Sequence, residues 1–368
     1  MKIASVEVVP VRLPHYKAAS DSLGTYSFSN HGIVIIRTES GLYGAGEIAL
    51  AWFGGAHSIC REVNEFWADQ LIGQEVTDIA AISKKLDELS DFSKRHLLAK
   101  AGIETALYDL IGKMTQLPVY QLLGGKSRTR IPITGAIHID SLDMMVETAK
   151  QRVSEGFKEL KIKVGLDDEK DLKAIRQIRN AIPDPVLLRV DANMAWRTKK
   201  QAKKLIDEMF AFGVHIVEQP LRDDCLDELS WLRDNTEALI LLDESVWDIC
   251  DAKRCLEKGA ADLLHVYVSE AGGLNGARKI FELAELYNID CTLGSMPEAR
   301  IGSSASAQLG IAMGNLSAFA SDVRGFTAYR EDVVHEELII ADGYLTIPDT
   351  PGLGVTIDFE KLKKLAVQ

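Results

Sequence analysis

Residues 159–193 read ELKIKVGLDDEKDLKAIRQIRNAIPDPVLLRVDAN. The stretch divides into three. Residues 159–164 form a short apolar run interrupted by lysines at alternate places. Residues 168–181 carry apolar side chains at helical spacing, and residues 186–190 form a second apolar run. A strand, a helix and a strand in that order make the repeat unit of a parallel α/β architecture. The same alternation extends on both sides. Further strand candidates lie at 131–137, 216–218, 239–242, 263–268, 289–293 and 318–321, with helical patterns such as 199–212 between most of them. Short apolar strands alternating with helices point to α/β, either a closed parallel barrel or a doubly wound sheet. No Gly-rich dinucleotide fingerprint follows the first strand, which favours the barrel.

The flanks have a different texture. Residues 3–13 alternate, 32–38 are β-branched, and a third strand punctuated by Gly41 and Gly44 ends at Glu47. From 58 to 113 the pattern is helical, with Ala101, Ile103, Ala106, Leu107 and Leu110 as its apolar stripe. Beyond Gly325, residues 338–340 and 344–347 flank Asp342-Gly343, a strong hairpin signal. The expected division is 1–125, 126–324 and 325–368, with the tail packed back onto the N-terminal unit. A chain of 368 residues has room for two such units.

The formal charge of −12 and a pI near 5.2 argue against a nucleic-acid or membrane-surface partner. Cys60, Cys225, Cys250, Cys255 and Cys291 include no CxxC pair, and an odd number of thiols fits a reduced compartment. No signal-like or membrane-length apolar run opens the sequence, so a cytoplasmic location is expected.

The chemistry is read from the C-terminal ends of the barrel strands, which face the mouth. The second strand ends in Lys161 and Lys163, on one face by the period of two. The next three end in Asp191, Glu218 and Asp243. A single acid at a strand end is ordinarily a solvated loop residue or a helix cap. Three on consecutive strands would repel strongly in a low-dielectric mouth, and a hard divalent cation such as Mg²⁺ relieves that repulsion. A substrate carboxylate bound there would gain stabilisation when its neighbouring carbon loses a proton. The paired ammonium groups are expected to lower a lysine pKa toward about 7–8, where it accepts that proton.

These residues resemble the enolase superfamily and, within it, the muconate-lactonizing-enzyme subgroup, over nearly the whole chain. Lys161-Ile162-Lys163 is similar to the subgroup's KxK signature, and Asp191-Ala192-Asn193, Glu218-Gln219-Pro220 and Asp243-Glu244-Ser245 to its three metal-ligand motifs. Gly272-Gly273-Leu274, Gly294-Ser295-Met296-Pro297-Glu298, Gly44-Ala45-Gly46-Glu47 and Pro351-Gly352-Leu353-Gly354 resemble further motifs. The resemblance implies a modified TIM barrel, (β/α)7β, under an α+β capping domain, and a homo-oligomer. It implies Asp191, Glu218 and Asp243 as Mg²⁺ ligands, Lys163 as base and Lys161 as its neighbour. Loops near 15–30 and 50–57 would close over a small carboxylate substrate, bringing Tyr26 and Trp52. Those aromatics suit a partly apolar or ring-shaped substrate, or else pack the two domains together. Asn193, Glu298, Arg300 and Asp322 are further expected contacts, Arg300 as a clamp for a second carboxylate.

One departure bears on the reaction. The subgroup's second catalytic lysine, at the end of strand six, falls here on Tyr267 in His265-Val266-Tyr267-Val268-Ser269-Glu270. Tyrosine donates a proton readily but is a poor base at neutral pH. One-base chemistry, β-elimination or cycloisomerisation, is therefore expected ahead of racemisation or epimerisation with Tyr267 or another group on the opposite face. A non-catalytic homologue is the lesser alternative. His265 is expected to be a core residue.

Overall fold

Alternating valines give the first strand its buried face. In the computed structural model, which describes residues 1–21, 24–50, 55–90 and 93–367 (the side chains of 18–21 and 24–26 excepted), β1 spans Ile3–Asp21, β2 Gly24–Thr38 and β3 Tyr43–Ile48. They form an antiparallel meander. Val6 and Val8 pack in a core of the N-terminal unit, whereas Val11 and Leu13 pack in the core shared with the barrel. The segment expected as a loop near 15–30 continues the β1–β2 hairpin instead, with a register shift between Pro14 and Ala19. Trp52 lies outside the described residues, as does the side chain of Tyr26.

Seven parallel strands follow in one curled sheet. They are β5 (Gly135–Ile137), β6 (Glu159–Lys163), β7 (Leu187–Asp191), β8 (Val214–Glu218), β9 (Leu239–Leu242), β10 (Leu263–Val266) and β11 (Asp290–Leu293), neighbours in chain order. Helices including Asp168–Ala181, Lys199–Phe210 and Leu274–Leu286 cover its outer face. The expected strand 131–137 is split. Its first two residues, β4 (Ile131–Pro132), pair instead with the tail hairpin of β12 (Ile339–Ala341) and β13 (Tyr344–Thr346).

The expected strand at 318–321 is not a strand. Ala320 gives its N–H to Glu159 and its carbonyl to Arg189, so side chains take the groups a ladder would use. Residues 316–321 still close the ring through parallel bridges, Cys291 with Leu316 and Ile133 with Ser321. The fold is thus an enolase-type barrel under a separate antiparallel cap.

Two cap carboxylates fasten the units together. Glu47, at the end of β3, accepts the N–H groups of Ala299 and Gly302 at the start of helix Arg300–Ala312. Glu104 accepts the N–H of Asn275 at the start of helix Leu274–Leu286. Neither helix has a side-chain cap of its own, so the cap supplies the acceptors that helix N-termini lack. Gly273 makes the second contact possible, because a Cβ there would fall 2.1 Å from Glu104 Oε2. Among the described residues, no helix is long and apolar enough to cross a membrane.

Candidate active site

The parallel register sets the ends of β6, β7 and β8 side by side. Lys163 is level with Asp191, and Asp191 with Glu218. Asp191, Glu218 and Asp243 are all buried, and one oxygen from each lies within 4.8 Å of the others. Oxygen-only donors of this charge suit a hard divalent cation. Burial first, and then the charges of Glu244, Glu218 and Glu270, push the Asp243 carboxyl far above its usual range. That strain marks a cluster one positive charge would relieve, so the acidic residues fit a metal ion. Asp191 is held well below its usual range despite burial, by Lys161 and Lys163.

The lysines differ in surroundings. Lys161 Nζ sits 2.7 Å from Glu218, 2.5 Å from Asp322 and 3.0 Å from Asp191. Lys163 Nζ donates to Asp191 at 2.6 Å and to Asn193 Oδ1 at 2.7 Å. The expected lowering of the lysine pKa is not what this arrangement gives. Burial, the largest cause, and Lys161 lower Lys163, but the charges of Asp191 and Glu218 and the direct hydrogen bond to Asp191 together raise it.

Tyr267 follows β10, across β7, β8 and β9 from the lysines. Its hydroxyl donates to Asp243 at 3.1 Å. Burial and that carboxylate raise its pKa far above the usual value, so it stays protonated. The ring lies flush on Gly294, where a Cβ would meet it at 2.0 Å. His265 is fully buried between Thr292 and Asp322, as a core histidine.

The remaining expected contacts sit in several places. Asn193, at the left-handed φ of 41°, links Lys163 to Glu244, donating to the latter at 3.0 Å. Glu298 is buried and accepts from Ser269 and Ser295. Asp322 is engaged by Lys161, Thr134 and His265, which makes it a support of the lysine. Arg300 lies 4.0 Å from Asp332, and its Nε has no hydrogen-bond partner among the described residues.

Several residues gave little or no separate signal in the sequence. Gln219, at a φ of 34°, accepts the N–H groups of Asp243 and Ser245 and so ties the ends of β8 and β9 together. Glu244, raised to about 7 by burial and by Asp191, and Glu270, raised well above its usual range by burial and by Glu244, each keep one oxygen unpartnered among the described residues. The sequence does place Glu270 near the mouth of its strand, where it could contact substrate; Glu244 stands out only by following the strand-end Asp243.

A parallel barrel with three carboxylates on consecutive strands, a lysine pair beside them and an N-terminal cap defines an enolase-type enzyme. The chain belongs to the mandelate racemase/muconate lactonizing enzyme group of that superfamily. Residues 3–124 match the family described as "Mandelate racemase / muconate lactonizing enzyme, N-terminal domain". Residues 144–362 match "Enolase C-terminal domain-like". The chain is 34% identical to a hydrophobic dipeptide epimerase of Enterococcus faecalis, covering 97% of this chain and 100% of that one. It is 32% identical to an L-Ala-D/L-Glu epimerase of Bacillus subtilis, covering 96% and 97%. The crystal structure of 2-chloromuconate cycloisomerase from Rhodococcus opacus superposes with a TM-score of 0.94 at 30% identity over 100% of both chains.

Proposed function

We propose that the chain removes the α-proton of a small carboxylate substrate with Lys163 as base, and completes the reaction by β-elimination or cycloisomerisation. The observation that carries this reading is the pair flanking the three carboxylates: an amine on one side and a tyrosine held protonated on the other. Asp191, Glu218 and Asp243 would hold Mg²⁺, which when bound supplies charge stabilisation for the substrate carboxylate. With a cation on the carboxylates, the Asp191 charge would hold the Lys163 proton less tightly, and the Lys161 ammonium beside it favours the neutral amine. Lys163 Nζ then takes the proton, the C–H electron pair passes into the enolate, and that pair forms the new C=C as the bond to the β-substituent breaks, releasing a free group in β-elimination or opening a ring in cycloisomerisation; ring closure is the same path reversed, with a carboxylate adding to the C=C and the Lys163 ammonium returning the proton. Tyr267 donates its proton to the departing group or hydrogen-bonds the substrate. In this reading residues 126–324 carry the chemistry, and 1–125 with 325–368 shape the cover, including Tyr26 and Trp52. Asn193, Glu298 and Arg300 bound the substrate. A cytoplasmic setting and a homo-oligomer are part of the same proposal, the latter supported by the family.

Epimerisation is the second reading, favoured by the two relatives named as epimerases. Incubation with Mg²⁺ in D₂O and a panel of hydroxy acids, N-acyl amino acids, dipeptides, sugar acids and muconate-like diacids separates the two. A new C=C bond, lost water or a new ring, all absent in Lys163→Ala, supports the first. Deuterium in both stereoisomers with no other product establishes the second. No exchange with any compound overturns both.

A further inference from the structure

The loop after β11, residues 294–299, backs the tyrosine of the site. Gly294 gives its N–H to Val266 O at 3.0 Å and carries the Tyr267 ring flush against its Cα. Met296 packs in the apolar cluster that the ring joins. Glu298 accepts from Ser269 Oγ at 3.0 Å. Where 294–298 lies therefore sets where the turn 267–269 after β10 can lie.

Buried residues from outside the barrel hold that loop on both sides of Glu298. Tyr329, in the tail, donates its hydroxyl to Pro297 O at 2.5 Å, and burial holds the phenol far above its usual range and so protonated. His31 Nε2, on β2, lies 3.0 Å from the same hydroxyl, and His31 Nδ1 lies 2.8 Å from Glu47 Oε1. Glu47, on β3, accepts the Ala299 N–H at 2.7 Å. The path runs from Pro297 through Tyr329, His31 and Glu47 to Ala299 and closes around one residue. Because the Tyr329 proton is committed to a carbonyl, His31 Nε2 must donate to that hydroxyl, which gives the ring a fixed polarity. The anchor is itself held. Tyr329 bridges to His15 of β1, and a Cβ on nearby Gly325 would fall 2.5 Å from Pro297 Cα.

Capping the helix that begins at Arg300 requires Glu47 alone. His31 and Tyr329 add nothing to that helix start; they reach the opposite flank of Glu298. A buried polar chain whose members are all satisfied fixes one arrangement of the backbone it touches. We infer that Glu47, His31 and Tyr329 are positioning residues that clamp the loop 294–299 and thereby set where the Tyr267 hydroxyl stands in the mouth. The site is then completed from behind by residues of the N-terminal unit and the tail, none of which touches substrate in this role. The inference rests on the reading of Tyr267 as the group that donates to the substrate.

A double-mutant cycle on the acid that the wild-type enzyme turns over tests it. Tyr329→Phe should lower kcat about tenfold, because a misplacement on the order of an ångström is enough. In a Tyr267→Phe background the same change should cost less than about twofold more. His31→Asn, whose carboxamide reaches Glu47 but falls short of Tyr329, should repeat both results. Equal losses in the two backgrounds, or no loss in either, overturn the clamp. Fluorotyrosine labelling reads the position of Tyr267 without a substrate. The fluorine resonance that Tyr267→Phe removes belongs to Tyr267, and it should shift or broaden in both Tyr329→Phe and His31→Asn. A Tyr267 resonance unmoved by either variant overturns the clamp even if turnover falls. A resonance that moves while Tyr267→Phe keeps the full rate upholds the clamp and removes the catalytic reading of Tyr267 alone. With no turnover of any acid, the proton-abstraction reading falls and the fluorine resonance decides the clamp by itself.

Discussion

The two walls of the barrel mouth are equally buried but differently charged. On the wall of β6 and β7, each cation has an acid. Arg189 pairs with Glu159 and Glu218, Lys161 with Glu218, Asp322 and Asp191, and Lys163 with Asp191. On the wall of β9 to β11, Asp243, Glu244, Glu270 and Glu298 follow the strand ends, and burial raises the pKa of all four. Paired charges deep in a protein hold a shape, whereas unpaired ones persist where a ligand completes them. The first wall is therefore scaffold with the proposed base at its rim, and the second is charged to receive a cation.

The largest test of that contrast is at the rim of the paired wall. Lys163→Ala should lower turnover by about 10³-fold or more, with near-UV circular dichroism unchanged. A variant that retains a tenth of the activity would remove Lys163 from the chemistry. Next, the walls should fail in different ways. Asp243→Asn should weaken Mg²⁺ binding at least about 100-fold by calorimetry, and leave stability nearly intact. Asp322→Asn should bind the metal within about threefold of wild type, yet lose about 3 kcal/mol in urea unfolding, because Lys161 loses a buried partner. Similar losses of both kinds in both variants would erase the distinction between the walls.

Tyr267→Phe comes third. It should retain metal binding and lower turnover by about 10- to 100-fold, and Gly294→Ala should do the same by displacing the ring. Unchanged turnover in both would leave Tyr267 a packing residue. The smallest effect belongs to a carboxyl outside both walls. Asp171, which accepts the Gly165 N–H, is raised from 3.8 to about 6 by burial. A raised carboxyl binds its proton more tightly in the folded chain. Its contribution to stability is therefore present below pH about 4 and is lost as pH rises through about 6. Asp171→Asn should flatten the thermal midpoint across that window, and an unchanged slope would place the titration elsewhere.

The barrel was legible because its apolar runs alternate with helices, and the site because strand ends are countable. Asp191, Glu218, Asp243 and the lysine pair follow from position alone, and the structure brings them together. What sequence could not supply was contact. The direction of the Lys163 shift depends on a carboxylate touching its Nζ, a fact of register between neighbouring strands. The loss of strand 318–321 depends on Glu159 and Arg189 reaching across the barrel floor.

The contacts made by Glu47 and Glu104 have a consequence for protein engineering. Exchanging the N-terminal unit between relatives is an obvious way to transplant specificity, because in the proposed reading it covers the pocket. Here that unit also provides the missing acceptors of two barrel helices, from positions separated in the chain by 252 and 171 residues. A chimera that brings new loops but lacks a carboxylate at either place would inherit a barrel with two frayed helix starts, one of them leading directly into the loop that carries Glu298.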